Sequence, residues 1–266
     1  MRKKVFTSGI LVFLFYILPL QSSAWGMLGH RIVGEIADRY LTEKARAEIK
    51  KILGNETIAM ASNWADFIKS DTAYKHIDPW HYINFEKGLN YQQIQQFLKK
   101  DTAVDAYTRL NFLSRELKKK NLPREKKLMY LRLLIHIAED MSQPLHVSPV
   151  GTSGGNDIKL TWFSTNSNLH RVWDTHLIEF QQLSYTEYVK AINFPTRAQK
   201  QKYLRQPLAE WLFDSYTIAQ KLHDEIKTEN PRLGYEYNYY HVDLLNEQLL
   251  KGGLRLAGLL NDIFGK

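Results

Sequence analysis

The chain has 266 residues, a formal charge of +8 and no cysteine. That length can bury a substantial core, in one domain or two, without covalent staples, and the lack of cysteine excludes thiolate metal sites, cysteine nucleophiles and disulfides. A modest positive excess favours polyanionic partners but is too common to decide a function alone.

Arg2, Lys3 and Lys4 precede a mostly apolar run from Val5 to Leu20, and Ser22, Ser23 and Ala24 follow as a small-residue cleavage site. This is the pattern of a signal peptide over residues 1–24 rather than a membrane anchor, because the run is short for a span and ends in a cleavable triplet. The mature chain is therefore expected to begin at Trp25, to carry a charge of +5, to be secreted or periplasmic, and to keep no stable membrane association.

From Ile32, Val33 and Ile36 to Tyr40 and Leu41, apolar residues recur at helical spacing and predict a first helix. Thr42 is an N-cap for a second helix that ends at Gly54. Residues 63–69 read as a short helix, residues 78–84 as an extended loop carrying His81, and Asn90 with Gln93 opens a helix through Leu98. Two long helices follow over 104–120 and 124–141, then a glycine and serine-rich loop at 151–155. Ile158, Leu160 and Trp162 alternate with polar residues as in a strand, 165–167 is turn chemistry, and Asn168 caps a helix bearing His170 and Asp174. Further helices are predicted over 185–192, 208–226 and 240–264, the last interrupted at Gly252 and Gly253. With no repeat, linker or low-complexity block, the simplest organisation is one mainly α domain over 25–266 with a small β-hairpin.

The chemistry centres on His136 and Asp140. They are four residues apart in an apolar helical run, so their side chains share one face, about 40° apart in arc. Pro144 ends that helix and His146 follows on the exiting loop, while His170 and Asp174 repeat the spacing. Of nine histidines, His30, His81, His136, His146 and His170 fall in ligand-like settings, and Asp66, Asp140 and Asp174 supply carboxylates. Imidazole with carboxylate and no thiolate suits catalytic zinc, with manganese or iron as alternatives. Eight side chains exceed the needs of one ion, and clustered metals are the usual apparatus of phosphoester hydrolysis.

Trp25 and His30, the Trp-Ala-Asp run at 64–66, Trp-His-Tyr-Ile-Asn at 80–84, His136 with Asp140, Gln-Pro-Leu-His at 143–146, Gly-Gly-Asn-Asp at 154–157 and Asn168-Leu169-His170 with Asp174 together resemble the S1/P1 nuclease family, over residues 25–174 and in order. The absence of cysteine suggests a bacterial member. The resemblance implies a helical fold of the phospholipase C/P1 nuclease type holding three zinc ions. It assigns Asp66, His81, His136 and Asp140 to the first ion; Asp140, His30 and the amine and carbonyl of Trp25 to the second; and His146, His170 and Asp174 to the third. Implied too are hydrolysis of single-stranded DNA and RNA to 5′-phosphorylated products by a zinc-activated water, action on nucleotides as a 3′-nucleotidase, and a monomer. Lys69 and Asn156 are candidates for phosphate contacts, and Asn156, Asp157 and Phe163 for a base pocket. Asn84 stands where fungal members carry an aspartate, and an amide can orient a water but cannot take its proton. Zinc phospholipase C and a non-enzymatic metal-binding protein are the competing readings. Storage of metal predicts clustered histidine tracts, whereas these histidines are dispersed and converge only in a fold.

Overall fold

The computed structural model describes residues 25–266, so the signal-peptide expectation for 1–24 lies outside the described residues. Helix α1 (Met27–Arg39) buries Ile32, Val33, Ile36 and Ala37. Helix α2 (Glu43–Leu53) starts at Thr42, whose hydroxyl accepts from Ala45 N, and stops at Gly54, where φ is +68°. Two short helices follow, α3 (Ile58–Ala61) and α4 (Trp64–Phe67), the second carrying Asp66. A 3-10 segment over Thr72–His81 leads into strand β1 (Ile83–Phe85). Capping boxes open α5 (Tyr91–Lys100) at Asn90 and α6 (Ala106–Leu117) at Asp105. Helix α7 (Arg124–Asp140) becomes fully buried from Leu133 to Asp140.

After α7 come β2 (Val147–Pro149), β3 (Lys159–Trp162) and β4 (Thr165–Asn168). Helix α8 (Leu169–Arg171) passes through a π turn at Val172–His176 into α9 (Leu177–Phe180). The chain ends with α10 (Tyr185–Ile192), α11 (Arg197–Tyr203), α12 (Leu208–Glu225), β5 (Arg232–Leu233) and α13 (Tyr235–Phe264). One apolar cluster gathers α2, α5, α6, α7 and α12; a second gathers Trp25, α1, Trp173 and the β3–β4 hairpin; α13 contributes to both. None of the described helices is long and apolar enough to cross a membrane.

Four local expectations are corrected. Residues 78–84 are not one extended loop: helical turns run to His81, and β1 then pairs in parallel with β2, Asn84 opposite Ser148. Residues 165–167 are strand, not turn; the hairpin reverses one step earlier, where Phe163 adopts φ +54°, and Trp162 pairs with Thr165. The short helix α11 went unpredicted, although Thr196 and Gln199 form its capping box.

The fourth correction concerns α13, which starts at Tyr235 and runs unbroken through Gly252 and Gly253. The pair lets α1 and the end of α7 approach closely: a Cβ on Gly253 would lie 2.4 Å from Ile36 Cγ2, and one on Gly252 would lie 2.5 Å from Ser142 Oγ. Tertiary packing outweighs the weak helix propensity of glycine here. Gly253→Ala is expected to destabilise the protein by about 1–3 kcal/mol through overpacking, which a denaturant titration would read as a lowered midpoint.

Candidate metal centre

The buried end of α7 is where distant segments meet. His136 and Asp140 point the same way from this helix, and His136 Nε2 lies 3.5 Å from Asp140 Oδ2. The 3-10 segment delivers His81, with Nδ1 3.0 Å from Asp140 Oδ2 and 3.1 Å from His136 Nε2. From α1, His30 brings Nε2 to 3.5 Å from Asp140 Oδ1 and 4.0 Å from Asp66 Oδ2. Asp66 in turn lies 3.7 Å from His136 Nε2 and is ion-paired with Lys69 at 2.6 Å. The π turn aligns His170 Nε2 and Asp174 Oδ2 at 3.0 Å, with His146 stacked obliquely on His170.

Three groups result: His30, Asp66 and His136; His81, His136 and Asp140; His146, His170 and Asp174. Within each, the ligand atoms lie within 4.8 Å of one another. All eight side chains expected from the sequence are thus brought together. His76, His176, His223 and His241 stay outside these groups.

The surroundings test whether metal fits. Four imidazoles are locked by their far nitrogens: His136 Nδ1 donates to Ser62 O at 2.6 Å, His146 Nδ1 to His81 O at 2.6 Å and His170 Nδ1 to Gly154 O at 2.7 Å, while His30 Nδ1 meets Glu139 Oε2 at 2.6 Å. Such bonds set the tautomer that leaves Nε2 with a lone pair. Burial pushes His30, His81 and His146 well below the ordinary imidazole range, which keeps them neutral. Among the described residues, His30 Nε2, His146 Nε2 and Asp140 Oδ1 are buried without a hydrogen-bond partner. Burial, then the neighbouring Asp66, pushes Asp140 well above the carboxylate range. Buried orphan acceptors facing paired carboxylates are costly without a cation, so the residues fit divalent metal.

Glu139 joins this site without a sequence motif that marks it. It is fully buried, and its second oxygen accepts from Ser62 Oγ at 2.7 Å. The available signal was an acidic residue beside Asp140 inside an apolar helical run. Gln143 is likewise buried; its amide donates to Asp174 and its carbonyl accepts from Leu145 N, which explains the residue before Pro144.

Above the clusters opens a cavity of about 460 Å³, lined by Lys69, Tyr82, Asn84, Asn156, His81, His146 and His170, among others. Lys69, Asn84 and Asn156 are therefore placed together. Asp157 and Phe163 are not: Asp157 is exposed and bonded to Ser153, and Phe163 packs on Phe180 and Tyr235. The hairpin reversal at Phe163 turns the ring toward α13 and away from the cavity. Tyr82 is the aromatic ring on the lining, 44% exposed and unmarked in the sequence except as the residue after His81.

The S1/P1 Nuclease family description matches residues 25–265. The chain belongs to the S1/P1 nuclease family. Curated relatives include Endonuclease 2 of Arabidopsis thaliana, 29% identical across 96% of each chain, and Nuclease P1 of Penicillium citrinum, 27% identical across 91% of this chain and 98% of that one. Nuclease S1 of Aspergillus oryzae is 26% identical across 89% and 91%. Among solved structures, the alpha toxin of Clostridium absonum shares the helical fold, with a TM-score of 0.50 and 17% identity, over 92% of this chain; the chain spans 66% of that toxin's length. The protein is accordingly a metal-dependent nuclease of mainly helical fold, acting on nucleic acid.

For this S1/P1 nuclease, the buried carboxylates predict how the metal-free chain responds to pH. Burial pushes Asp174 up to about 6 from its ordinary 3.8. The folded state then holds a proton that the unfolded chain has lost, so this contribution to stability is present below 3.8 and lost as pH rises through about 6. Thermal melts of chelated protein should show a fall across that window relative to chelated Asp174→Asn. Parallel curves would contradict it.

Proposed function

We propose that the protein is an exported, zinc-dependent phosphodiesterase that hydrolyses single-stranded DNA and RNA to 5′-phosphorylated products and also removes 3′-phosphates from nucleotides. The observation that supports this most is the convergence of three His and Asp clusters beside one cavity, two of which reach its lining through His81, His146 and His170.

Three zinc ions are assigned to Asp66, His81, His136 and Asp140; to His30, Asp140 and the terminal amine and carbonyl of Trp25; and to His146, His170 and Asp174. When bound, zinc supplies Lewis-acid polarisation of the phosphate and acidifies water near neutral pH. Lys69, beside Asp66, offers a cation to a phosphate oxygen. Asn84, exposed to the cavity on β1, orients the attacking water by hydrogen bonding and takes no proton from it. Asn156 contacts the phosphate or base from the opposite wall, and Tyr82 offers a ring on which a base can stack, worth about 1–3 kcal/mol.

The contacts of Trp25 and Gly26 support this reading. Trp25 is fully buried, its indole donates to Ser142 Oγ at 2.9 Å, and Gly26 N donates to Asp174 O at 2.8 Å. Cleavage after Ala24 would turn a delocalised amide nitrogen into an amine able to bind metal. One extra residue before Trp25 is expected to lower both zinc content and rate, and an unchanged pair of values would remove the terminal amine from the site.

The deciding assay offers single-stranded DNA, RNA, a 3′-mononucleotide and phosphatidylcholine to the processed protein, with and without chelator. Chelator-sensitive cleavage of the nucleic acids is expected. Hydrolysis of the phospholipid alone would instead make it a phospholipase C, and inactivity on all four would leave a metal-binding protein.

A further inference from the structure

We propose that a second groove beside the catalytic cavity is a track for the sugar-phosphate backbone, binding phosphates of a single strand beyond the bond being cut. This rests on the single-strand reading above. The groove, about 740 Å³, runs between the start of α1 and the β3–β4 hairpin and shares Asn156 with the catalytic cavity and Asp174 with the third cluster. The two concavities therefore adjoin at Asn156, and one carboxylate of the third cluster lines the groove.

Arg31 from α1, Lys159 from β3 and Arg171 from α8 line it. Elsewhere the surface cations are often paired with carboxylates, as Arg46 is with Asp38, Arg132 with Glu56 and Lys118 with Asp262. Among the described residues, none of these three is so paired; within them, Lys159 Nζ donates only to the Asn156 carbonyl at 3.0 Å, and Arg31 Nε is buried with no hydrogen-bond partner. Of the two acids on the lining, Asp174 is turned onto His170 and Gln143, which leaves Glu179 as the exposed carboxylate. A concave surface with three cations against the one exposed carboxylate of Glu179 has a net charge complementary to phosphodiester, and Asn166 and Asn168 add neutral donors along the β4 wall. Such contacts carry no base preference, so the track would raise affinity for long strands over short ones whatever their sequence.

The test measures binding of an end-labelled phosphorothioate dT20 to the zinc-loaded, processed protein by fluorescence anisotropy across a salt series. In parallel it measures kcat/KM for a dinucleotide too short to reach the groove. For Arg31→Ala/Arg171→Ala, Kd for the 20-mer should rise about tenfold, and the dependence of log affinity on log salt should flatten by about 1.4, or about 0.7 per lost phosphate contact. Dinucleotide hydrolysis and zinc content should stay within about twofold. Because Arg31 and Arg171 adjoin His30 and His170, Lys159→Ala, at an exposed position of β3, provides a second variant, with an expected flattening of about 0.7. Unchanged Kd and salt slope in both variants would overturn the track. So would a dinucleotide loss in proportion to the binding loss, which would place these cations in the catalytic cavity. Failure of the nuclease reading would show separately, as absence of cleavage by the wild type, while the anisotropy would still report on the groove.

Discussion

Asp140→Asn is expected to empty two metal sites at once and to lower kcat/KM by about 10³-fold or more, since a metal site supplies several kcal/mol of transition-state stabilisation. The geometry behind this is that the two oxygens of Asp140 face different histidines, His30 on one side and His81 with His136 on the other, while His136 is the residue common to two of the three groups. Oδ1 faces His30 Nε2 at 3.5 Å, and Oδ2 faces His81 Nδ1 at 3.0 Å and His136 Nε2 at 3.5 Å. An amide offers one neutral oxygen and replaces the other with a donor that no cation tolerates. By contrast, His146→Ala should empty the site it shares with His170 and Asp174 and leave the others loaded. Stability supplies an independent reading. Asp140 is wholly buried next to Asp66, and burial pushes its carboxyl well up, so removing that charge relieves the metal-free fold. Chelated Asp140→Asn should melt no lower than chelated wild type, which separates lost metal from misfolding. Loss of a single equivalent of metal in both variants would refute the shared role of Asp140.

Glu139→Gln should weaken the site containing His30 by about 10–100-fold in metal affinity, the usual effect of removing a carboxylate behind a ligand histidine. Glu139 has nothing to do with substrate: it is fully buried, bridging His30 Nδ1 at 2.6 Å and Ser62 Oγ at 2.7 Å. Burial pushes the Glu139 carboxyl well up in the metal-free protein, and a bound cation favours its charged form; glutamine keeps the shape but cannot carry that charge and turns one of the two accepting oxygens into a donor. Competition with a chelator of known affinity should show one weakened metal and two unaffected ones. Equal weakening of all three would mean that the substitution loosens the end of α7 as a whole.

These two residues mark where the sequence is legible and where it is not. Asp140 announces itself through its spacing from His136, since both are ligand types on one face of an apolar helix. Glu139 lies on a different face of the same helix, and nothing in one dimension shows that His30, 109 positions earlier, closes onto it. Long-range pairing hid other features as well. The 3-10 turns before His81 carry Pro79 and look irregular in sequence, yet β1 pairing with β2 fixes them so that the His81 carbonyl receives His146. Residues 165–168 have turn composition, Thr-Asn-Ser-Asn, and become strand because β3 lies beside them. Phe163 looked like a base-stacking residue by its nearness to the glycine loop, but its positive φ turns it into the cluster with Phe180 and Tyr235. Gly252 and Gly253 read as a break because their role, admitting Ile36 and Ser142, belongs to packing alone.

The most direct test is the metal content of the processed protein, purified without chelator and measured by mass spectrometry. The three clusters around Asp140 predict three zinc ions per chain, with nuclease activity lost as they are removed and regained on their return. One zinc or none in a fully folded, active nuclease would contradict the account.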